Sequence, residues 1–215
     1  MVIAKGTKNW ILTPLIVGIG FTIFSIFLSE EISYVLLFFS FILILLAAFF
    51  LIFFRDPQRI AGRDIVSPAD GRIREITDVE EKVLGKCKKI SIFMNIYNVH
   101  VNRMPIDGRI NGIIHHKGSY LPAFKKESER NERVEILIES KIGMIKVIQI
   151  AGTLARRIVT YVSKGDVIKK GDKIGIIRLG SRVDIFIPSN AIKTLNIKVG
   201  DTIKAGEDTL AEIND

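Results

Sequence analysis

One cysteine, one tryptophan and three histidines in 215 residues leave little material for several common chemistries. Cys87 has no second thiol to pair with, which fits a reducing compartment and a packed rather than reactive side chain. With His100, His115 and His116 it gives no ligand spacing of the zinc-binding sort, so no metal is expected. The chain has neither a Gly-rich phosphate loop nor a G-x-S-x-G elbow, which sets aside P-loop and α/β-hydrolase chemistry. A net charge of +8 comes without a recognition helix or an aromatic platform, so nucleic acid is not an expected partner. A domain held against an anionic leaflet suits that charge better.

Charge itself is missing from two long stretches. Trp10 to Leu28 is a run of nineteen uncharged residues and Ile32 to Phe54 a run of twenty-three. Each is long enough to cross about 30 Å of hydrocarbon as a helix. Only Ser29, Glu30 and Glu31 separate them, so the expectation is a membrane hairpin over 1–54, with helices at about 10–28 and 32–54. A cleaved signal peptide does not fit, because a second spanning run follows at once and no small-residue cleavage pattern closes the first. Lys5 and Lys8 before the hairpin and Arg55 and Arg59 after it place both outer ends, and the rest of the chain, on the cytoplasmic side of the cell membrane.

From residue 55 to 215 the pattern changes to short apolar runs broken by Gly, Pro, Asn and Asp. Residues 71–76, 88–96, 108–114, 133–140, 143–150, 172–179 and 182–187 all read as strands by length and β-branched content. The window 151–160 reads as a short helix or another strand. Two internal echoes recur: P-x-D-G-R-I at 68–73 and 105–110, and G-D-x-I-K-x-G at 165–171 and 200–206. The Gly-Asp pairs supply turns, and the isoleucines that follow supply one inward face. The expected fold is mainly β: a compact β-sandwich or barrel, of the barrel-sandwich kind, after a two-helix transmembrane hairpin.

Taken singly, the polar candidates are bland. A lone histidine in a strand is more often structural than a base, and Asp70 between Pro68 and Gly71 reads as a turn residue. Gly180-Ser181, interrupting an apolar run from Ile174 to Ile187, reads as a bulge. Their order, however, is distinctive. "SPADG" (67–71), "VHVNRMPIDG" (99–108), "HHKGSYLPAF" (115–124), "RNERV" (130–134) and "LGSRVDIFIP" (179–188) together resemble the phosphatidylserine decarboxylase family, in its short form with an N-terminal membrane hairpin. That form includes archaeal archaetidylserine decarboxylase proenzymes. The likeness spans about residues 55–215.

The resemblance implies a pyruvoyl-dependent carboxy-lyase made by self-cleavage between Gly180 and Ser181. The Ser181 hydroxyl attacks the Gly180 carbonyl to form an ester. Loss of the Ser181 α-proton expels the Gly180 carboxylate, and the dehydroalanine left behind hydrolyses to pyruvoyl with release of ammonia. Gly180, lacking Cβ, allows the close approach. That covalent cofactor then takes the amino group of a serine phospholipid as a Schiff base and draws electrons as carbon dioxide leaves.

An Asp-His-Ser constellation is implied for the cleavage, matched by Asp70, His100 and Ser181. Longer bacterial members carry a second histidine three residues on, where this chain has Arg103. His100 is therefore assigned both the cleavage and the decarboxylation proton, with His115 in reserve. Arg182 replaces the commoner Thr of the triplet and is a candidate contact for the substrate carboxylate or phosphate, or else a plain surface arginine. His115, Tyr120 and Phe124 are the other candidate substrate contacts. The last two sit with Leu121 beside Lys125 and Lys126 in a stretch that either dips into the membrane interface or packs in the core.

The implied partners are an anionic serine phospholipid in the membrane and the chain's own cleaved halves as a heterodimer, with further dimerisation frequent in the family. Two rivals remain at this level. One is a membrane-anchored biotinyl/lipoyl-like adaptor without catalysis, which leaves the Gly-Ser and histidine blocks unexplained. The other is a pyruvoyl decarboxylase of a soluble amino acid, against which the hairpin argues.

Overall fold

The computed structural model describes residues 2–118, 131–152, 157–178 and 181–214. It divides into two compact units, Met1–Pro57 and Gln58–Asp215. The first unit holds α1 (Lys8–Ser25) and α2 (Glu30–Phe53), both long and apolar enough to cross a membrane. Their contact is set by small residues. Ser40 Oγ donates to the Gly18 carbonyl at 2.6 Å and lies 2.7 Å from Thr22 Oγ1. A Cβ on Gly18 would stand 3.2 Å from the Ser40 carbonyl oxygen, so glycine lets the backbones approach. Glu30 and Glu31 occupy the first turn of α2, where negative charge suits the helix dipole.

The second unit is built of strands: β1 (Ile65–Val66), β2 (Gly71–Glu81), β3 (Gly85–Met94), β4 (Val101–Arg103), β5 (Gly108–His116), β6 (Arg133–Ser140), β7 (Gly143–Ala151), β8 (Ile158–Thr160), β9 (Val167–Ile168), β10 (Lys173–Ile177), β11 (Ser181–Pro188), β12 (Ile192–Leu195), β13 (Thr202–Ile203) and β14 (Thr209–Ile213). Eight of them form one sheet in the order β13-β2-β3-β11-β7-β6-β5-β9, with every pairing antiparallel. Two three-stranded sheets, β1-β14-β12 and β4-β10-β8, complete the body.

Alternation along the strands divides the faces. Ile90, Ile92 and Met94 of β3, Ile145 and Val147 of β7, and Val183, Ile185 and Ile187 of β11 all enter one buried core. The opposite face of the same strands carries a smaller cluster of Cys87, Ile148, Ile150 and Phe186. Burial raises the Cys87 thiol pKa above its ordinary value, with Glu81 adding to the effect, so this cysteine packs as expected.

The fold class agrees with the sequence, and the element ends differ in detail. The strand expected at 88–96 starts earlier, at Gly85, and stops at Met94, because Asn95 opens a turn: its Oδ1 accepts the Tyr97 N–H at 2.9 Å. The run expected over 172–179 is β10, which ends at Ile177. The one expected over 182–187 runs from Ser181 to Pro188. In the window 151–160, Ile158–Thr160 is strand, and residues 153–156 lie outside the described residues.

The two echoes prove to be one structural repeat. β13 pairs with the start of β2, placing Ile203 opposite Gly71, and β9 pairs with the start of β5, placing Ile168 opposite Gly108. Each P-x-D-G-R-I strand therefore pairs with one G-D-x-I-K strand in the same register. The aspartates match too: Asp70 Oδ1 accepts the Ala205 N–H and Asp107 Oδ1 the Lys170 N–H, both at 2.7 Å.

Candidate active site

Ser181 opens β11 in the middle of the large sheet, with Met94 of β3 on one side and Ala151 of β7 on the other. It is fully buried, on the same face as Val183 and Ile185, and its hydroxyl donates to Met94 Sδ at 3.3 Å. A thioether is a weak acceptor, so among the described residues the hydroxyl is held without a strong partner. Gly180 lies outside the described residues.

His100 stands just before β4 and is fully buried. Its Nδ1 lies 2.9 Å from the Asn98 carbonyl oxygen, and its own carbonyl accepts the Ile177 N–H at 3.3 Å, where β10 ends on the way to Ser181. Asn102, two residues on, belongs to a separate polar group that reaches Ser181. Its Nδ2 faces Met94 Sδ at 3.8 Å, and its Oδ1 accepts from Gln149 Nε2 at 2.7 Å. Gly175 makes room for that glutamine, since a Cβ there would sit 2.9 Å from Gln149 Nε2. Ser181, Met94, Asn102 and Gln149 thus form a continuous buried chain. The sequence reading missed Met94, Asn102 and Gln149, whose partners lie on other strands.

Asp70 is placed differently from a residue that touches His100. Its carboxylate takes the Arg59 guanidinium in a two-pronged pair, with Nη2 to Oδ2 at 2.9 Å, and also the Ala205 N–H. The turn it belongs to meets the histidine strand through the backbone, where Arg103 N–H donates to the Pro68 carbonyl at 2.9 Å.

Arg182 points to the opposite face from Ser181 and is not a plain surface arginine. It is 9% exposed and its Nη2 lies 2.9 Å from Asp184 Oδ2. Together with Lys89, Arg133, Glu135, Ile148 and Phe186 it lines a cavity of about 320 Å³. Burial pushes the Asp184 carboxyl above its ordinary value, against the pull of Arg182 and Lys89.

His115 lies on β5 opposite Val134, a core residue of β6, and its Nε2 is 3.0 Å from Glu132 Oε1. Glu132 is 9% exposed, and its carbonyl accepts the Ala151 N–H at 2.9 Å. Asn131 Nδ2 donates to the Ala151 carbonyl at 2.7 Å. Asn131 and Glu132 were visible in "RNERV", yet nothing in that stretch alone gives them a role. Tyr120, Leu121 and Phe124 lie outside the described residues.

These positions can be compared with known proteins. The family model described as phosphatidylserine decarboxylase matches residues 46–211. A protein of Methanosarcina barkeri named as an archaetidylserine decarboxylase proenzyme is 42% identical over 98% of both chains. One of the same name from Methanococcoides burtonii is 41% identical over 98% of this chain and 96% of its own. A phosphatidylserine decarboxylase proenzyme of Desulfotalea psychrophila is 43% identical over 81% of this chain and 84% of that one. By the extent of these matches, the chain belongs to the phosphatidylserine decarboxylase family.

Proposed function

We propose that this chain is the proenzyme of a membrane-anchored decarboxylase that converts a serine phospholipid, phosphatidylserine or archaetidylserine, to the ethanolamine lipid with a pyruvoyl group made from Ser181. The observation that carries the reading is Ser181 itself: a buried hydroxyl on the first residue of β11, directly after Gly180, whose partner among the described residues is the Met94 thioether. Its surroundings fit a small ketone, because Met94 and Ala151 offer a sulfur and a methyl on either side. A pyruvoyl group there supplies a carbonyl that can engage an amine and accept electrons from a breaking C–C bond.

The chain's own residues perform the maturation. His100 takes the Ser181 hydroxyl proton as the oxygen attacks the Gly180 carbonyl carbon, and the Gly180–Ser181 C–N bond breaks to leave an ester. Removal of the Ser181 α-proton then expels the Gly180 carboxylate, and water releases ammonia from the remaining alkene. Asp70 supports His100 indirectly in this reading: with Arg59 it fixes the 67–70 turn, and that turn holds β4 through the Pro68 carbonyl. Arg182 faces away from Ser181 and pairs with Asp184, so in this reading it braces β11 from the outer face, and the contact expected with the substrate's phosphate or carboxylate is not assigned to it.

The hairpin over 1–54 would anchor the 55–215 catalytic domain on the cytoplasmic side of the cell membrane. That tether raises the effective concentration of enzyme at the headgroups of a lipid that never leaves the bilayer. The mature molecule is a heterodimer of a large chain ending at Gly180 and a small chain beginning at residue 181, with room for further dimerisation. Denaturing electrophoresis of the purified chain tests this. Two fragments and serine-lipid turnover are expected from the natural sequence, and a single inactive chain from Ser181→Ala. A full-length chain that decarboxylates serine lipids without cleavage would contradict it.

A further inference from the structure

We infer that Glu132 is the carboxylate that receives the amino group of the serine headgroup, an inference that rests on the function proposed above. Met94, Ser181 and Ala151 stand side by side on neighbouring strands, and the Ala151 N–H to Glu132 carbonyl bond continues the ladder to Glu132. Glu132 comes two residues before Val134, whose side chain is in the core, so it shares the inward face with Ser181. Adjacent strands lie about 4.8 Å apart, which puts the Glu132 and Ser181 α-carbons about 10 Å apart. The residue between them on that face is Ala151, which contributes one methyl. The Glu132 carboxylate meets His115 of β5, beyond β6 from Ser181, so it would take the ammonium at the far end of this row, and the headgroup then crosses the Ala151 position to reach residue 181.

The carboxylate is also held in place. Glu132 is buried, its Oε1 is fixed by His115 Nε2 at 3.0 Å, and the strand beside it is pinned by Asn131 on the Ala151 carbonyl. His115, whose side chain is 50% exposed, is then a positioning residue that acts through Glu132 rather than on the lipid. The chemistry selects by charge. A serine headgroup carries an ammonium that a buried carboxylate attracts, whereas glycerol and inositol headgroups offer only hydroxyls and a phosphate. Glu132 therefore discriminates for the amine that must reach residue 181.

Two backgrounds keep this inference separable from the function it rests on. In the full-length Ser181→Ala chain no ketone can form, so binding of soluble headgroups is non-covalent. Glycerophosphoethanolamine is expected to bind about tenfold more tightly than glycerophosphoglycerol. Adding Glu132→Gln should erase that preference, and adding Glu132→Asp should retain most of it. In the cleaving chain, Glu132→Gln should raise KM for the serine lipid by about tenfold, with rescue by Glu132→Asp. Equal binding of the two headgroups, a preference that survives the glutamine, an unchanged KM, or loss of self-cleavage in both Glu132 variants would each overturn the inference. If the natural chain neither cleaves nor turns over serine lipids, the proposed function fails, and the headgroup comparison still decides the role of Glu132.

Discussion

Ser181 shows how much of the account depends on the neighbours of a single oxygen. A hydroxyl bound to a carbonyl or carboxylate would be satisfied where it sits, while one resting on Met94 Sδ can be redirected at small cost. His100→Gln is expected to slow self-cleavage by about 10²–10⁴-fold, the usual contribution of a positioned base, as followed by the fraction of uncut chain over time. On the outer face, two carboxylates respond to pH in opposite directions. Asp184 is pushed up by burial, so the folded chain holds its proton more tightly than the unfolded one. Stability should fall as pH rises from the ordinary carboxylate range through that raised value, and Asp184→Asn should flatten the slope in denaturation measured against pH. Glu81 is also pushed up by burial, but Lys146 and the Val83 N–H outweigh this and hold it below its ordinary value. Its contribution is present above the ordinary range and lost as pH falls through the lowered value, so Glu81→Gln should remove that acid-side loss.

At the scale of elements, the glycines that open the two long echo strands are matched in space as well as in sequence. A Cβ on Gly71 would lie 2.2 Å from the Phe93 carbonyl oxygen, and one on Gly108 would lie 2.5 Å from that of Glu139. Both approaches are to backbone, which cannot swing aside as a side chain can. Gly71→Ala and Gly108→Ala are therefore expected to cost about 1–3 kcal/mol or more in urea unfolding, the order seen for overpacked interiors. Gly112→Ala, whose Cβ would meet only Leu137 Cδ1 at 3.6 Å, should change stability by less than about 1 kcal/mol. The same elements show what the sequence could and could not reveal. Turn chemistry and alternation made the long strands and the two echoes readable, because both are local. That the echoes pair with each other, which puts β13 and β9 at the two ends of the sheet, depends on contacts between distant residues and carries no local signal. The two- and three-residue strands β1, β4, β8, β9 and β13 are too short for any periodicity to register.

For the whole molecule, two uncharged runs announce a hairpin and five ordered blocks announce a family, and neither needs a contact map. The site was less legible. Ser181, His100 and Asp70 stand out by the company they keep in sequence. Glu132 and Gln149 matter only because β6 and β7 bring them beside Ser181's row, a consequence of sheet order. The match of Asp70 with Asp107, each receiving an amide from its partner G-D-x-I-K-x-G unit, was not legible either, because it depends on how distant strands pair. Anchoring should be separable from chemistry. A chain lacking residues 1–54 is expected to self-cleave yet to lose most co-sedimentation with anionic vesicles, and its turnover of vesicle-borne lipid should fall more steeply than its maturation.

The most direct test of the central claim is the intact mass of the small fragment released from the purified natural chain. A fragment running from residue 181 to Asp215, lighter by one ammonia than the unmodified peptide and blocked to stepwise N-terminal degradation, is the predicted result. An N-terminal serine on that fragment, or an active chain with no fragment at all, would contradict the account.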